Sequence, residues 1–414
     1  MPIALTITSP YRVLQHHAIL ARCKNETQFV CPTDTHEYNS AGLEICNTFL
    51  YWAWFACRFD RPCQGGTLYL KHTPPAELHP AQPHKLAGRS VGIHPGAGMS
   101  SDASPTSQAK RVAILLCTYN GSRFLEEQLA SIAAQVHSNW TLVASDDGST
   151  DATLAILKAW GMTLPTPRLA VVQGPARGFV ANFLSFITKP SIAADYYAFA
   201  DQDDIWEADK LSRAVAWLGT VESSVPALYC ARTRLVDSDN REIGLSPLFA
   251  KKPSFANALV QSIAGGNTMV FNEATRRLLA DAGVTAGVVS HDWWLYLMVT
   301  GCGGHMHYDQ RPTLRYRQHA DNLVGANDHW RAQFDRVRKL FRGRFRTWCD
   351  QHVRALETSA LRLTLENRRT LQIFAIARQQ GLVQRLAGFL RCGIHRQTPL
   401  GNLGLLAAAI FKKI

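Results

Sequence analysis

Asp201-Gln202-Asp203-Asp204 sets three carboxylates within four residues, directly after an apolar run. Carboxylates so close repel one another, and at the end of a buried strand a cation relieves that repulsion. Hard oxygen ligands suit Mg²⁺ or Mn²⁺, ions that keep several waters and bridge to phosphate oxygens. The alternative is an acidic turn in which Asp203 or Asp204 complements the dipole of the following helix. A second acidic loop, Asp146-Asp147-Gly148-Ser149-Thr150-Asp151, offers carboxylates to a base N–H or ribose hydroxyl of a nucleotide. Within it Ser149, Thr150 and Asp151 read better as turn and helix cap.

The elements around these loops give them a common address. Val112–Cys117 is a continuous apolar run that suits a strand buried on both faces of a parallel sheet. A helix follows on the stripe Phe124, Leu125, Gln128, Leu129 and Ile132, and then a strand over Trp140–Ala144. Ser149 or Thr150 is expected to cap the next helix, whose core face is Leu154, Ile156, Leu157 and Trp160. Strand Leu169–Val172, helix Phe179–Ile187, strand Tyr196–Ala200 and helix Ala208–Leu218 continue the alternation. The pattern predicts an α/β fold with a mostly parallel sheet flanked by helices, which binds ligands beyond the carboxyl ends of its strands. Both acidic loops and Thr118-Tyr119-Asn120-Gly121 would open on that edge.

Taken in order and spacing, Cys117–Gly121, Ser145–Asp151 and Asp201–Trp206 resemble family 2 glycosyltransferases, in particular the rhamnosyltransferase-like ones. The resemblance spans about Arg111 to His319. It implies a GT-A fold with a nucleotide-binding sheet, a nucleotide-sugar donor, a divalent cation and a single displacement that inverts the anomeric centre. It implies that Thr118, Asn120, Asp146, Asp147 and Asp201 bind the donor nucleotide, and that Asp201 and Asp203 form a DxD metal pair with His319 as a further ligand. In Ala264-Gly265-Gly266-Asn267-Thr268 the glycines leave the backbone open, and Asn267 would hold donor or acceptor; a plain turn before a strand is the alternative. Ser290-His291-Asp292-Trp293-Trp294 opens a helix, and the acidic residue of the corresponding family motif is the general base, here Asp292. Trp293 and Trp294 would exclude water from it, unless Asp292 or Ser290 is only a cap and the tryptophans only core. Trp293, Arg315 and Arg317 are counted with the donor or acceptor contacts, against a solvated strand edge for the arginines. Rhamnose from dTDP-rhamnose, passed to a hydroxyl of a glycan or lipid-linked acceptor for cell-surface polysaccharide, is the transfer the resemblance favours.

The chain has 414 residues, 46% of them apolar, and a formal charge of +12. Residues 331–414 hold 17 Lys and Arg against 4 Asp and Glu, so the rest is nearly neutral. A basic, largely helical tail favours an anionic surface, and an arginine-rich face resting on anionic membrane is one reading; a helical subdomain packed on the catalytic domain is the other. Nucleic acid is not the expected partner, since no RNP motif, zinc finger or basic zipper accompanies the charge. A non-catalytic nucleotide-sugar binder is the other alternative to an enzyme. No apolar stretch reaches the roughly 18 residues that suggest a membrane span. The N-terminus lacks a secretory pattern, so the expected location is cytoplasmic, with peripheral contact at the cytoplasmic face. Ten cysteines need not mean disulfides, and the five in the first 63 residues (Cys23, Cys31, Cys46, Cys57 and Cys63) show no CxxC pair or Cys/His zinc spacing. Residues 1–108 lack periodicity and read as an extension, with translation expected to begin at Met99; residues 109–325 are expected to be catalytic and 326–414 the basic helical region.

Overall fold

The computed structural model describes residues 21–23, 26–28, 109–283, 287–319 and 343–414. Internal contacts divide the chain into Met1–Met99 and Ser100–Ile414. Of the first unit, an antiparallel pair is described, β1 (Ala21–Cys23) with β2 (Glu26–Gln28). The remainder of the expected extension lies outside the described residues, as does the expected C-terminal region before 343.

In the second unit β3 (Val112–Thr118) has every residue buried, and its side chains alternate between two cores. Val112, Ile114 and Leu116 pack with Leu125, Leu129 and Leu157 on one face, while Ala113, Leu115 and Cys117 join Phe183, Phe186 and Trp294 on the other. This period-two alternation within an unbroken apolar run is what a strand covered on both sides requires. β3 pairs in parallel with β4 (Trp140–Asp146) and β6 (Tyr196–Ala200), and β4 with β5 (Leu169–Gln173). Beyond β6 come β11 (Val270–Asn272), antiparallel to both neighbours, then β8 (Ala227–Ala231) and β12 (His305–Asp309), parallel to each other. The order of this seven-stranded sheet is β12-β8-β11-β6-β3-β4-β5.

Helices α1 (Leu125–Ala133), α2 (Thr153–Thr163), α3 (Phe179–Ile187) and α4 (Lys210–Leu218) connect the strands, and α5 (Phe255–Ala258), α6 (Glu273–Ala282) and α7 (His291–Gly301) follow. The expected alternation is therefore present. The capping expectation before α2 is corrected: Ala152 is its cap residue, without a side-chain bond, because Ser149 and Thr150 are engaged within the loop. A second sheet, not foreseen, orders β10 (Glu242–Leu245), β9 (Arg234–Val236), β13 (Leu314–Arg317) and β7 (Ile205–Trp206).

The C-terminal residues form α8 (Arg344–Thr358), α9 (Leu365–Gln379), α10 (Leu382–Cys392) and α11 (Pro399–Ile410). Cys349, Leu356 and Phe374 are fully buried in the same core as α7, so this region is packed on the sheet-bearing body. Several of its basic side chains face inward. Arg385 donates to the carbonyls of Ala409 and Gln380 at 2.6 and 2.7 Å, at the C-terminal ends of α11 and α9, where a cation is favoured. Arg378 donates to Asp350 at 2.6 Å.

Candidate functional site

The carboxyl ends of β3, β4 and β6 place their three polar loops side by side. At the end of β3, Thr118 donates to Asp146 Oδ2 at 2.8 Å. Asp146 also accepts from Ser149 Oγ at 2.6 Å and from the backbone N–H groups of Ser149 and Gly148 at 2.8 and 3.1 Å. Burial alone would favour its protonated form, but the bonds from Ser149, Thr118 and Gly148 outweigh this and hold the carboxyl below its ordinary value. Asp146 thus organises its own loop. Asp147 accepts from Ala176 N at 2.7 Å and Gly178 N at 3.0 Å, tying this loop to the one after β5.

Asn120 sits at φ 47°, one of the few non-glycine positions in the left-handed region among the described residues, and Asn tolerates it better than most. Its side chain accepts from Thr150 N at 2.8 Å and its own N–H donates to Ser149 Oγ at 2.9 Å. Gln202 exchanges two hydrogen bonds with the backbone of Tyr119, at 2.8 and 3.0 Å. A Cβ on Gly121 would lie 2.3 Å from the Gln202 amide oxygen, so glycine is required for this contact. The first and third loops are thereby locked together.

Helix α1 grips the acidic loop from behind. Gln128 donates to Asp201 O at 3.0 Å, and Ser131 Oγ accepts from Trp206 N at 3.0 Å. Asp203 Oδ2 and His319 Nε2 are 2.8 Å apart, with the His319 ring centroid 5.0 Å from that of Phe124. Burial first, then the charges of Asp203 and Asp292, pushes the Asp201 carboxyl up. That mutual repulsion places Asp201, Asp203 and Asp292 in one electrostatic field. Asp204 is fully buried and accepts from Asn267 Nδ2 at 2.6 Å. Burial, Asp203 and Asp201 raise its pKa, against Asn267 and Lys210.

Lys210 escaped the sequence reading, since a lysine at the start of a helix looks like ordinary surface. It is fully buried, donates to the Asn267 carbonyl and lies 3.9 Å from the Trp206 ring centroid. Burial pushes it down to about 7, and Asp204 and Asp201 oppose that fall. It faces the acidic loop from within, and with Asn267 it joins that loop to the glycine turn.

Arg317 and Arg315, expected at the donor or acceptor, have different positions. Arg317 is buried and donates to Asp203 O at 3.0 Å, Ser238 O at 2.8 Å and Glu127 at 2.7 Å, with its guanidinium 4.5 Å from the Phe124 ring centroid. It holds the acidic loop in place. Arg315 faces Glu207 at 3.5 Å and Asn240 at 3.3 Å, in a cavity of about 470 Å³ lined by Arg213, Arg234, Arg311 and three acidic residues.

In the glycine turn, Gly266–Thr268 forms a 3₁₀ turn, and a Cβ on Gly265 would approach Asn267 Oδ1 to 2.7 Å. A Cβ on Gly266 would lie 2.2 Å from His291 Nε2. His291 stacks on Phe183 with centroids 4.1 Å apart, and neither of its ring nitrogens has a hydrogen-bond partner among the described residues. Beside it Asp292, in the first turn of α7, accepts from Trp293 N at 2.7 Å. Ser290 makes no side-chain cap bond. The Trp293 ring, expected near donor or acceptor, is taken up by packing: its Nε1 donates to Ala258 O at 2.7 Å, and it meets His352 and Trp348 of α8 at 4.4 and 6.0 Å. Asn367 of α9 donates to the last carbonyls of α7, Thr300 and Gly301, both at 3.0 Å. The C-terminal helices therefore hold both ends of the helix that carries Asp292.

Among the described residues no three His, Cys, Asp or Glu side chains are grouped to enclose a metal ion. Asp203 and His319 offer a two-ligand edge beside the crowded Asp201 carboxylate. Such an edge fits an ion of the Mg²⁺ or Mn²⁺ kind, which takes one or two protein carboxylates and completes its shell with phosphate and water.

A family model described as Glycosyl transferase family 2 matches residues 113–279. The chain is 30% identical over 239 residues to the dTDP-rhamnosyl transferase RfbG of Shigella flexneri, which covers 54% of this chain and 78% of that relative. It is 32% identical over 108 residues to the putative glycosyltransferase EpsE of Bacillus subtilis, covering 26% of this chain and 38% of that one. Among solved structures, the mannosyltransferase PcManGT from Pyrobaculum calidifontis, in complex with GDP-Man and Mn²⁺, aligns with TM-score 0.41 and 18% identity over 74% of this chain and 86% of that chain.

Proposed function

Because the chain belongs to glycosyl transferase family 2, we propose that it is an inverting, metal-dependent transferase of GT-A type that moves rhamnose from dTDP-rhamnose to a hydroxyl of a glycan or lipid-linked acceptor. Cell-surface polysaccharide synthesis, with peripheral contact at an anionic membrane, is the setting this reading implies. The donor rests on the likeness to RfbG, a dTDP-rhamnosyl transferase. The observation that supports the chemistry is the pairing of Asp203, in the loop that follows β6, with His319 at 2.8 Å, with the charges of Asp203 and Asp292 both felt at Asp201.

In this reading Asp292 takes the proton from the acceptor hydroxyl as that oxygen attacks the anomeric carbon opposite the departing nucleotide. Asp203 and His319 would hold a divalent cation, which when bound supplies positive charge to the pyrophosphate as the anomeric C–O bond breaks. Thr118, Asn120, Asp146 and Asp147 shape the wall on which the nucleoside lies, chiefly by fixing backbone, since their side-chain bonds run within the loops. Lys210 and Arg317 keep the acidic loop in register.

The test is transfer and donor hydrolysis by the full chain across a panel of nucleotide sugars, with Mg²⁺, Mn²⁺ or EDTA. Turnover of dTDP-rhamnose, abolished by EDTA and by Asp203→Ala, is expected. Asp292→Asn is expected to lower kcat by about 10²–10⁴-fold while donor binding persists. Turnover indifferent to EDTA and to Asp203→Ala would remove the metal from the mechanism, and donor binding with no turnover on any acceptor would favour a non-catalytic binder.

A further inference from the structure

The outward side of the last two helices differs from the surface elsewhere. From Asn367 to Ile414 the chain has no Asp or Glu and eight Lys and Arg. On α10, Val383 and Leu390 stand 75% and 83% exposed. They are seven residues apart, which returns them to one face of the helix. The opposite face, with Arg385 and Phe389, is buried. Helix α11 has no charged residue at all. Its Leu400, Leu406 and Ile410 are 69%, 45% and 44% exposed and fall within roughly 120° of the helix circumference, while Leu405, Ala408 and Ala409 are buried. No helix among the described residues is long and apolar enough to cross a membrane.

We propose that the exposed apolar stripes of α10 and α11, bordered by Arg391 and Lys412, form a surface that lies in the headgroup layer of an anionic lipid bilayer. The proposal deepens the reading of a lipid-linked acceptor given above. It relocates the contact from an arginine-rich face to an apolar one, because Arg378 and Arg385 are already committed inside the helical bundle. Short helices with an apolar side and a basic margin seat in the interface plane rather than across it. Charge decides between a bilayer and a second copy. Apposing two such faces would bring Arg391 and Lys412 against basic residues of the same kind, in a stretch with no carboxylate to offset them. Phosphate-bearing headgroups complement them.

Flotation of the full chain with vesicles of phosphatidylcholine, with and without phosphatidylglycerol, at low and high salt tests this. The wild-type chain is expected to float with the anionic vesicles only and to be released by salt. Leu390→Glu with Leu400→Glu, and separately Arg391→Glu with Lys412→Glu, are expected to reduce the bound fraction about tenfold or more, with donor binding unchanged. Failure of the wild-type chain to float while it still binds donor overturns the surface and leaves the transfer reading intact; flotation without any donor binding or turnover does the reverse. Equal flotation on neutral vesicles overturns the anionic preference. A wild-type dimer by light scattering, broken by Leu390→Glu with Leu400→Glu in the absence of vesicle binding, would make the face a self-interface. The wild-type arms decide the matter even if a variant fails to fold.

Discussion

Two regions of the molecule handle charge in opposite ways. At the carboxyl edge of the sheet, acidic groups are packed close together and several are held by specific partners: Asp146 by four hydrogen bonds, Asp203 by His319, and Asp204 by Asn267 with Lys210 nearby. In the C-terminal helices the core is apolar, Cys349, Leu356 and Phe374 being fully enclosed, and of its buried arginines Arg385 satisfies two helix ends while Arg378 pairs with Asp350. The first region depends on electrostatic compensation throughout, and the second mainly on shape, with Arg378–Asp350 as a compensated pair within it. Removing one member of a compensated set leaves a buried charge, whereas changes among apolar residues meet a more tolerant packing.

The largest expected effect on folding follows from Lys210. Lys210→Met keeps the volume roughly but strips the buried Asn267 carbonyl of its donor and removes the positive charge that opposes the burial of Asp204, so stability should fall by about 3 kcal/mol. Adding Asp204→Asn removes the uncompensated charge and should recover most of that loss. Urea unfolding of the two single variants and the double variant measures the coupling. Additive losses would mean that Lys210 and Asp204 do not compensate one another, and the contrast between the two regions would fail at its strongest point.

A smaller effect is expected at Gly266, where the glycine turn meets α7. The Cβ of Gly266→Ala would press on His291 Nε2 at 2.2 Å, and overpacking of this kind costs about 1–3 kcal/mol. Because His291 precedes Asp292, the same substitution should lower turnover as well as stability. His291→Ala opens the space, so the paired variant should regain stability over Gly266→Ala alone. If Gly266→Ala is silent in both thermal unfolding and turnover, the turn and α7 are not in the tight contact described.

The sequence made some of this legible because the signals were local. An unbroken apolar run at Val112–Cys117 announces a doubly buried strand, and the carboxylates of Asp201–Asp204 announce an acidic site wherever they fall. The small sheet escaped notice because β7, β9, β10 and β13 are two to four residues long, too short to show a period. Arg317 was expected at a ligand because an arginine near an acidic site suggests phosphate, yet Glu127, 190 positions earlier, claims it. Lys210 carried no signal at all, since its task exists only once α4 is set against the acidic loop. Trp293 was ambiguous in the sequence and became core when α8 supplied Trp348 and His352.

The contrast can be sharpened last, and most finely, by pH. His291 lies at the polar edge and His352 in the helical region, and burial pushes both down to about 4, with Asp292 partly opposing this for His291. An unfolded chain binds protons on these rings below about pH 6.5, where the folded chain does not. Stability is therefore complete above that value and is lost progressively as pH falls from about 6.5 toward 4. Each histidine contributes at most about 1.4 kcal/mol per pH unit within that window. In His352→Phe one contribution disappears, so urea unfolding between pH 6.5 and 5 should show a shallower decline, while stability near pH 8 changes little because the new ring also fills apolar space. An undiminished slope would mean that His352 becomes protonated in the folded helices, and that the apolar packing around its ring does not exclude charge.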